Sequence, residues 1–145
     1  MSIITPVLVA IDIYSEYGRI LKQALGVAKK PHFCHVIFVV LPFSELQPYL
    51  SEKEHRLIDA NERQGRLRLM QIANQCRIPP SNVHLHTGSV AKKVCCIADS
   101  IDAGLIVIGS HGRGGMAPLL GSNTNKVLQK TKRDVLTVRL IEPNI

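Results

Sequence analysis

Tryptophan is absent from the 145-residue sequence, and aromatic residues make up only 4% of it. Proteins that bind single-stranded nucleic acid stack the bases on aromatic side chains, so this scarcity argues against that class. Acidic residues are also few, eleven against eighteen basic ones, which gives a net charge of +7. Because the basic residues are scattered along the chain, we interpret them as a solvated surface that favours small polyanions such as nucleotides, and we expect no nucleic-acid partner.

Long hydrophobic runs are missing as well. The longest apolar stretch, residues 36–42, is far shorter than the ~20 residues that a membrane-spanning helix needs. The first residues, Met-Ser-Ile-Ile-Thr-Pro, lack the basic and apolar regions of a signal peptide. The four cysteines form no C-x-x-C pair and no zinc-site spacing, and most lie in apolar stretches, as in a reducing compartment. We therefore expect a cytoplasmic protein with no membrane partner.

The length and composition fit one domain, residues 1–145, with 46% hydrophobic residues. Short continuous apolar runs alternate with stretches of helical spacing. The apolar runs predict five strands, at residues 7–11, 35–41, 83–87, 105–108 and 135–140. The four helices predicted between them each begin at a serine cap: Ser15, Ser51, Ser89 and Ser122. Strict alternation of this kind implies a parallel sheet, in an α/β fold whose ligands bind at the carboxyl ends of the strands.

The segment after the fourth strand, residues 109–123, reads GSHGRGGMAPLLGSN and contains five glycines. Glycine lets backbone N–H groups approach an anion without an intervening side chain, and the start of the following helix adds unpaired N–H groups. Ser122 and Asn123 add side-chain donors, and Arg113 adds a cation. The segment therefore predicts a phosphate cradle. The alternative is a glycine-rich connection that binds no ligand.

Two common phosphate motifs do not apply to this segment. The sequence contains no Gly-Lys dipeptide, which excludes the P-loop of Walker ATPases. Residues 112–117 satisfy G-x-G-x-x-A, but the dinucleotide fingerprint belongs after the first strand and this match follows the fourth. We treat the match as a coincidence.

Asp12 is the lone charge at the carboxyl end of the first strand. A carboxylate in that position is able to accept hydrogen bonds from ribose hydroxyls or from an adenine amine, which predicts a ligand-binding role. The alternative is an N-cap for the following helix. His84 and His86 share one face of the third strand and form a weaker candidate for a metal pair, because no third ligand is close in sequence; we expect no resident metal and no catalytic group.

Together these segments resemble the universal stress protein family. The resemblance covers nearly the whole chain, through VLVAID, HVIFVV and DVLTVRL, and it is most specific at DAGLIVIGSHGRGG followed by LLGSN. It implies a Rossmann-like, three-layer αβα sandwich around a five-stranded parallel sheet with strand order 3-2-1-4-5. Family members that bind ATP carry two glycines after the fourth strand and a Gly-Ser or Gly-Thr pair further on. The matching residues here are Gly109, Gly112, Gly121 and Ser122.

The resemblance also implies the contacts of an adenine nucleotide. Ala10 and Asp12 are expected beside the ribose or the base, and Val40 is expected to contact adenine through its backbone. His111 and Arg113 are expected near phosphate, together with the glycines and with Asn123. Any Mg²⁺ would be carried by the nucleotide phosphates.

The glycine pattern departs from the family at one point. Eight residues separate Gly112 from Gly121, one fewer than the pattern has, so AMP or ADP is an alternative to ATP. The resemblance implies a regulatory stress-response role, with ATP hydrolysis absent or slow, and a homodimer formed through the last strand. The alternatives are a nucleotide-free dimeric signalling module of the same fold, and a hydrolase or transferase of the adenine-nucleotide-binding superfold.

Overall fold

The computed structural model describes residues 4–40, 52–110 and 117–140. In these ranges strands alternate with helices, as the apolar runs predict. The strands are β1 (Val7–Ala10), β2 (Cys34–Val40), β3 (Val83–Thr87), β4 (Leu105–Gly109) and β5 (Asp134–Val138). The helices are α1 (Gly18–Ala28), α2 (Glu52–Gln75), α3 (Val90–Ser100) and α4 (Ala117–Lys130). Short 3₁₀ turns lead into β2 and β3.

The strands form one parallel sheet in the order β3-β2-β1-β4-β5, which confirms the predicted α/β class and strand order. β1 lies at the centre, where Ala10 is aligned with Ile37 of β2 on one side and with Ile108 of β4 on the other. A central strand of a parallel sheet is buried on both faces, and for that reason its sequence is an unbroken apolar run.

Successive residues of β1 point to opposite faces of the sheet and enter two separate cores. Val9 lies in the core that α1 and α2 cover, together with Leu69, whereas Leu8 lies in the core that α3 and α4 cover, together with Val94. All four side chains are fully buried. Two helices therefore pack on each face, and the predicted three-layer αβα sandwich is confirmed.

The first helix begins later than predicted. The chain makes a turn directly after β1, in which the Tyr14 N–H donates to Asp12 Oδ1 at 2.9 Å and the Ser15 N–H donates to the Asp12 carbonyl oxygen at 3.1 Å. Ser15 therefore lies in a turn, and α1 begins at Gly18 after Tyr17. The prediction of Ser15 as an N-cap was wrong, because the chain is still in this turn at Ser15 and the helix begins three residues later.

The fourth helix begins earlier than predicted. α4 starts at Ala117, so Ser122 lies inside the helix and its prediction as a cap was wrong. Proline is tolerated in the first helical turn, where its missing N–H has no partner to lose, so Pro118 does not delay the helix. Ser89 is confirmed as the cap of α3, because its side chain accepts the Lys92 N–H. Ser51, the predicted cap of α2, lies outside the described residues.

Within the described ranges, no helix combines the length and the apolar character that crossing a membrane requires.

Candidate functional site

The strand order reverses between β1 and β4, at the carboxyl edge of the sheet. The connection after β1 leads to β2 on one side, and the connection after β4 leads to β5 on the other. Two adjacent connections that leave in opposite directions open a crevice, and α/β proteins bind their ligands in such crevices. Asp12, Gly109 and Ser110 border it, because they end or directly follow the two strands.

Asp12 follows β1 by two residues and is partly exposed. Its Oδ1 atom accepts the Tyr14 N–H at 2.9 Å, which holds the carboxylate in the turn that begins at the crevice. The N-cap of α1 is Tyr17, so the alternative interpretation of Asp12 as a helix cap was wrong. A carboxylate held here presents a negative charge and hydrogen-bond acceptors to a ligand with hydroxyl or amino groups.

Gly109, at the end of β4, is constrained by packing. A Cβ atom at this position would lie 2.7 Å from Cδ1 of Ile20 and 3.3 Å from Cδ1 of Leu140. The backbone here does not adopt the left-handed φ that favours glycine. Glycine at position 109 therefore lets α1 pack closely against β4. This reason for glycine is separate from the one that the sequence suggested, which was the approach of an anion to the backbone.

Thr124 is a site-forming residue that the sequence analysis missed. Its hydroxyl donates to the Gly109 carbonyl oxygen at 3.0 Å, and only 6% of the residue is exposed. Because this bond joins α4 to the last residue of β4, it sets where the helix lies relative to the crevice. Helical spacing places Thr124 on the same inward face as Val127, which is fully buried. That spacing is present in the sequence alone, because Thr124 and Val127 both follow Ser122, where the helix was predicted to begin.

Val40 is the last residue of β2, the strand that pairs with β1 on the side away from β4. Its carbonyl oxygen accepts the Gly88 N–H at 2.9 Å, which extends the ladder between β2 and β3. The Ile37 carbonyl oxygen faces β1 instead and accepts the Ile11 N–H at 3.0 Å. The Val40 carbonyl thus points toward β3 rather than toward the crevice, and an adenine contact with it would use its second lone pair.

Comparison with known proteins identifies the family that has this arrangement. The sequence model of the universal stress protein family matches residues 4–139. The chain belongs to the universal stress protein family. Universal stress protein A homolog 1 of Coxiella burnetii is 33% identical over 81 residues, which are 56% of this chain and 56% of that protein. The match thus spans little more than half the length of this curated relative.

Solved structures of universal stress proteins share the fold. UspA from Lactobacillus plantarum is 21% identical, with a TM-score of 0.62 over 92% of this chain and 96% of that one. A universal stress protein from Archaeoglobus fulgidus is also 21% identical, with a TM-score of 0.59 over 91% of this chain and 96% of that one. At this level of identity the likeness extends to the architecture of the sheet and its helices.

Several residues that the universal stress protein pattern singles out lie within α4 or outside the described residues. Gly121 and Ser122 occupy the second turn of α4 rather than its start. Asn123, which follows them, is half-buried. His111, Gly112 and Arg113 lie outside the described residues, so their contacts with phosphate stay predictions. The structure brings together Ala10, Asp12 and Gly109 at the carboxyl ends of β1 and β4.

A histidine cluster lies on the sheet away from the crevice. Nδ1 of His35 on β2 is 3.0 Å from Nε2 of His84 on β3, and the ring of His86 stacks beyond His84. Burial, together with the neighbouring His35 and His86, lowers the pKa of His84 to about 4, and burial lowers the pKa of His35. Of the suggested pair, His84 is thus engaged in an inter-strand hydrogen bond with His35, and His86 contacts it only through the ring. In the part of the chain that the structure describes, no group of three histidine, cysteine or carboxylate side chains is arranged to hold a metal ion.

Proposed function

We propose that this member of the universal stress protein family binds an adenine nucleotide and acts as a regulatory, cytoplasmic stress-response protein rather than as an enzyme. The observation that supports this most is the position of Asp12 beside the strand-order reversal, across from the end of β4. Crevices at this position in α/β folds bind nucleotides, and the partly exposed carboxylate suits a ribose or an adenine amine.

The phosphate end of the nucleotide is proposed to lie toward the glycine-rich segment and α4. The buried hydrogen bond between Thr124 and Gly109 holds α4 next to β4. An anion is stabilised near the start of a helix, and the sequence places Gly112 and Arg113 between β4 and that start. Mg²⁺ would accompany the phosphates of ATP. The shortened glycine segment leaves AMP or ADP as an alternative to ATP.

We also propose a homodimer formed through β5. In the sheet, β5 has a neighbour on one side only, and its Val135 and Leu136 are half-buried. An edge strand with apolar residues presents unpaired backbone groups that a second copy is able to complete. The cytoplasmic assignment is supported by the four cysteines, all of which are free thiols.

Isothermal calorimetry with adenosine, AMP and ATP tests the nucleotide proposal. The Asp12→Ala variant should weaken all three ligands by roughly ten- to a hundredfold, the loss expected for one hydrogen bond to a charged group. All three ligands should weaken alike because they share the ribose and the base. Asp134→Ala is the matched control. This exposed aspartate begins β5 and therefore lies at the amino ends of the strands, whereas the crevice lies at their carboxyl ends.

Three other results would contradict this proposal. Equal affinities for the parent and Asp12→Ala would remove Asp12 from the site. Failure of all three ligands to bind the parent would favour a nucleotide-free dimeric module. Multiple turnovers of ATP, or activation of an acyl substrate by ATP, would favour the hydrolase or transferase alternative.

A further inference from the structure

The acidic residues of this chain are distributed very unevenly. Residues 63–98 contain no aspartate or glutamate but carry six basic side chains: Arg63, Arg66, Arg68, Arg77, Lys92 and Lys93. This range covers the second half of α2, all of β3 and most of α3. Since β3 is an edge strand, this end of the sheet and the second half of α2 carry more basic than acidic side chains, and Glu62 is the acidic residue directly before this range.

On this same end, α2 exposes two large apolar residues outside its buried stripe. Gly65, Leu69, Ile72 and Ala73 face the core and are buried. A second stripe, Arg63, Leu67, Met70 and Asn74, faces outward with successive spacings of four, three and four residues. Leu67 is 65% exposed and Met70 is 37% exposed. Alternating spacings of four and three residues are those by which one helix packs along another.

A groove lies between this second stripe and the edge of the sheet. Its apolar part is a cavity of about 340 Å³, lined by Leu67, Met70 and Ala73 of α2 and by Ile78, Pro80 and Val83. Its polar part is a cavity of about 380 Å³ further along β3, lined by Arg63, Arg66, Glu62, Val40, Leu85 and Thr87. Together the two cavities form what we call the α2–β3 groove.

We propose that the α2–β3 groove docks an acidic amphipathic helix of a protein partner. The apolar side of that helix would cover Leu67 and Met70, and its carboxylates would meet Arg63 and Arg66. Among the residues that the structure describes, neither arginine forms an ion pair with a carboxylate, so both are available to a partner. Apolar contact supplies affinity, and complementary charge selects the partner and its orientation.

Other occupants fit the groove less well. None of the described lining residues is aromatic, so RNA bases would have no stacking surface. A second copy that presented the same groove would bring its own basic residues to the contact and repel the first.

The probe for this proposal is a synthetic amphipathic peptide of about fifteen residues, long enough to follow the ~17 Å from Arg63 to Asn74. It carries leucines at spacings of four and three on one face and glutamates on both flanks. Binding to the full chain is measured by fluorescence anisotropy and by amide chemical shifts, without added nucleotide, so that the result is independent of Asp12. We expect shifts confined to the groove residues and their neighbours.

Variants of exposed residues distinguish groove binding from general attraction. Leu67→Ser should raise the Kd of the peptide by about tenfold, and Arg66→Gln should raise it by a similar factor. Leu128→Ser is the matched control, because Leu128 on α4 is 49% exposed and lies on the other face of the sheet. A peptide with lysine in place of glutamate should not bind.

The proposal is overturned if Leu67→Ser and Leu128→Ser bind the acidic peptide equally well. It is also overturned if the parent chain binds vesicles of equimolar phosphatidylcholine and phosphatidylserine, or oligouridylate, and Leu67→Ser abolishes that binding. Self-association that Leu67→Ser removes would identify a second copy as the occupant and would equally contradict an acidic partner.

Discussion

At the scale of single residues, Gly109 lies where the side chain of Ile20 in α1 packs against β4. The Gly109→Ala variant would place a methyl group 2.7 Å from Cδ1 of Ile20, so the Ile20 side chain must move within a closely packed core. We expect a loss of about 1–3 kcal/mol in the free energy of unfolding, the usual cost of overpacking, measured by urea denaturation.

Trimming the neighbouring side chain tests this explanation. Ile20→Val removes Cδ1, the atom that the new methyl group would overlap. Gly109→Ala should therefore lower the free energy of unfolding less in the Ile20→Val background than in the parent. The interaction energy of such a double-mutant cycle reports the contact itself. Equal costs in both backgrounds would mean that Gly109 is needed for a reason other than its contact with Ile20.

At the scale of elements, we expect the two edge strands of the sheet to differ in their part in assembly: β5 forms the proposed homodimer and β3 does not. The Ser110 N–H donates to the Val138 carbonyl oxygen at 2.9 Å, so Val138 faces β4 and the backbone of its neighbour Thr137 faces outward. Proline is tolerated in an edge strand where its missing N–H faces outward. Thr137→Pro should therefore leave the fold intact and raise the dissociation constant of the proposed homodimer about tenfold or more, as measured by sedimentation equilibrium.

The opposite edge supplies the control for this experiment. Thr87 in β3 is also exposed, and its neighbour Gly88 donates to Val40, so the Thr87 N–H likewise points outward. Thr87→Pro should leave the dimer unchanged. Dissociation caused by Thr87→Pro alone would move the interface to β3, and a parent chain that sediments as a monomer would refute the dimer.

At the scale of the whole molecule, the histidine cluster predicts how stability depends on pH. Burial next to His35 and His86 lowers the pKa of His84 from 6.5 to about 4 in the folded chain. The unfolded chain therefore binds more protons than the folded chain between these values, and the free energy of unfolding falls as pH decreases through that range. Urea denaturation at several pH values should show a loss on the order of 1 kcal/mol from this residue, after allowance for solvent screening.

Comparison with variants isolates the contribution of His84 from that of the carboxylates. His84→Gln removes the titrating group but keeps a side chain able to form hydrogen bonds, so its stability should decline less steeply between pH 6.5 and 4. His32→Gln is the control, since His32 is exposed and lies outside the cluster. Identical pH profiles for the parent and His84→Gln would show that protonation of His84 is not coupled to folding.

Features that depend on near neighbours along the chain were predictable from the sequence. Strands covered on both faces must be apolar throughout, so the runs that became β1 and β4 were recognisable without a structure. The cap at Ser89 depends on an N–H three residues away, at Lys92, and was predicted correctly. Asp12 stood out because a single charge at the end of an apolar strand is visible in the sequence alone.

Features that join distant parts of the chain were not predictable from the sequence and required the three-dimensional fold. Thr124 bonds to Gly109 across fifteen positions, and His35 approaches His84 across forty-nine. The α2–β3 groove exists because β3 is the edge of the sheet, which leaves the second stripe of α2 uncovered. Periodicity and capping report contacts within about one helical turn, as at Ser89, whereas these contacts arise from the order in which parallel strands pair.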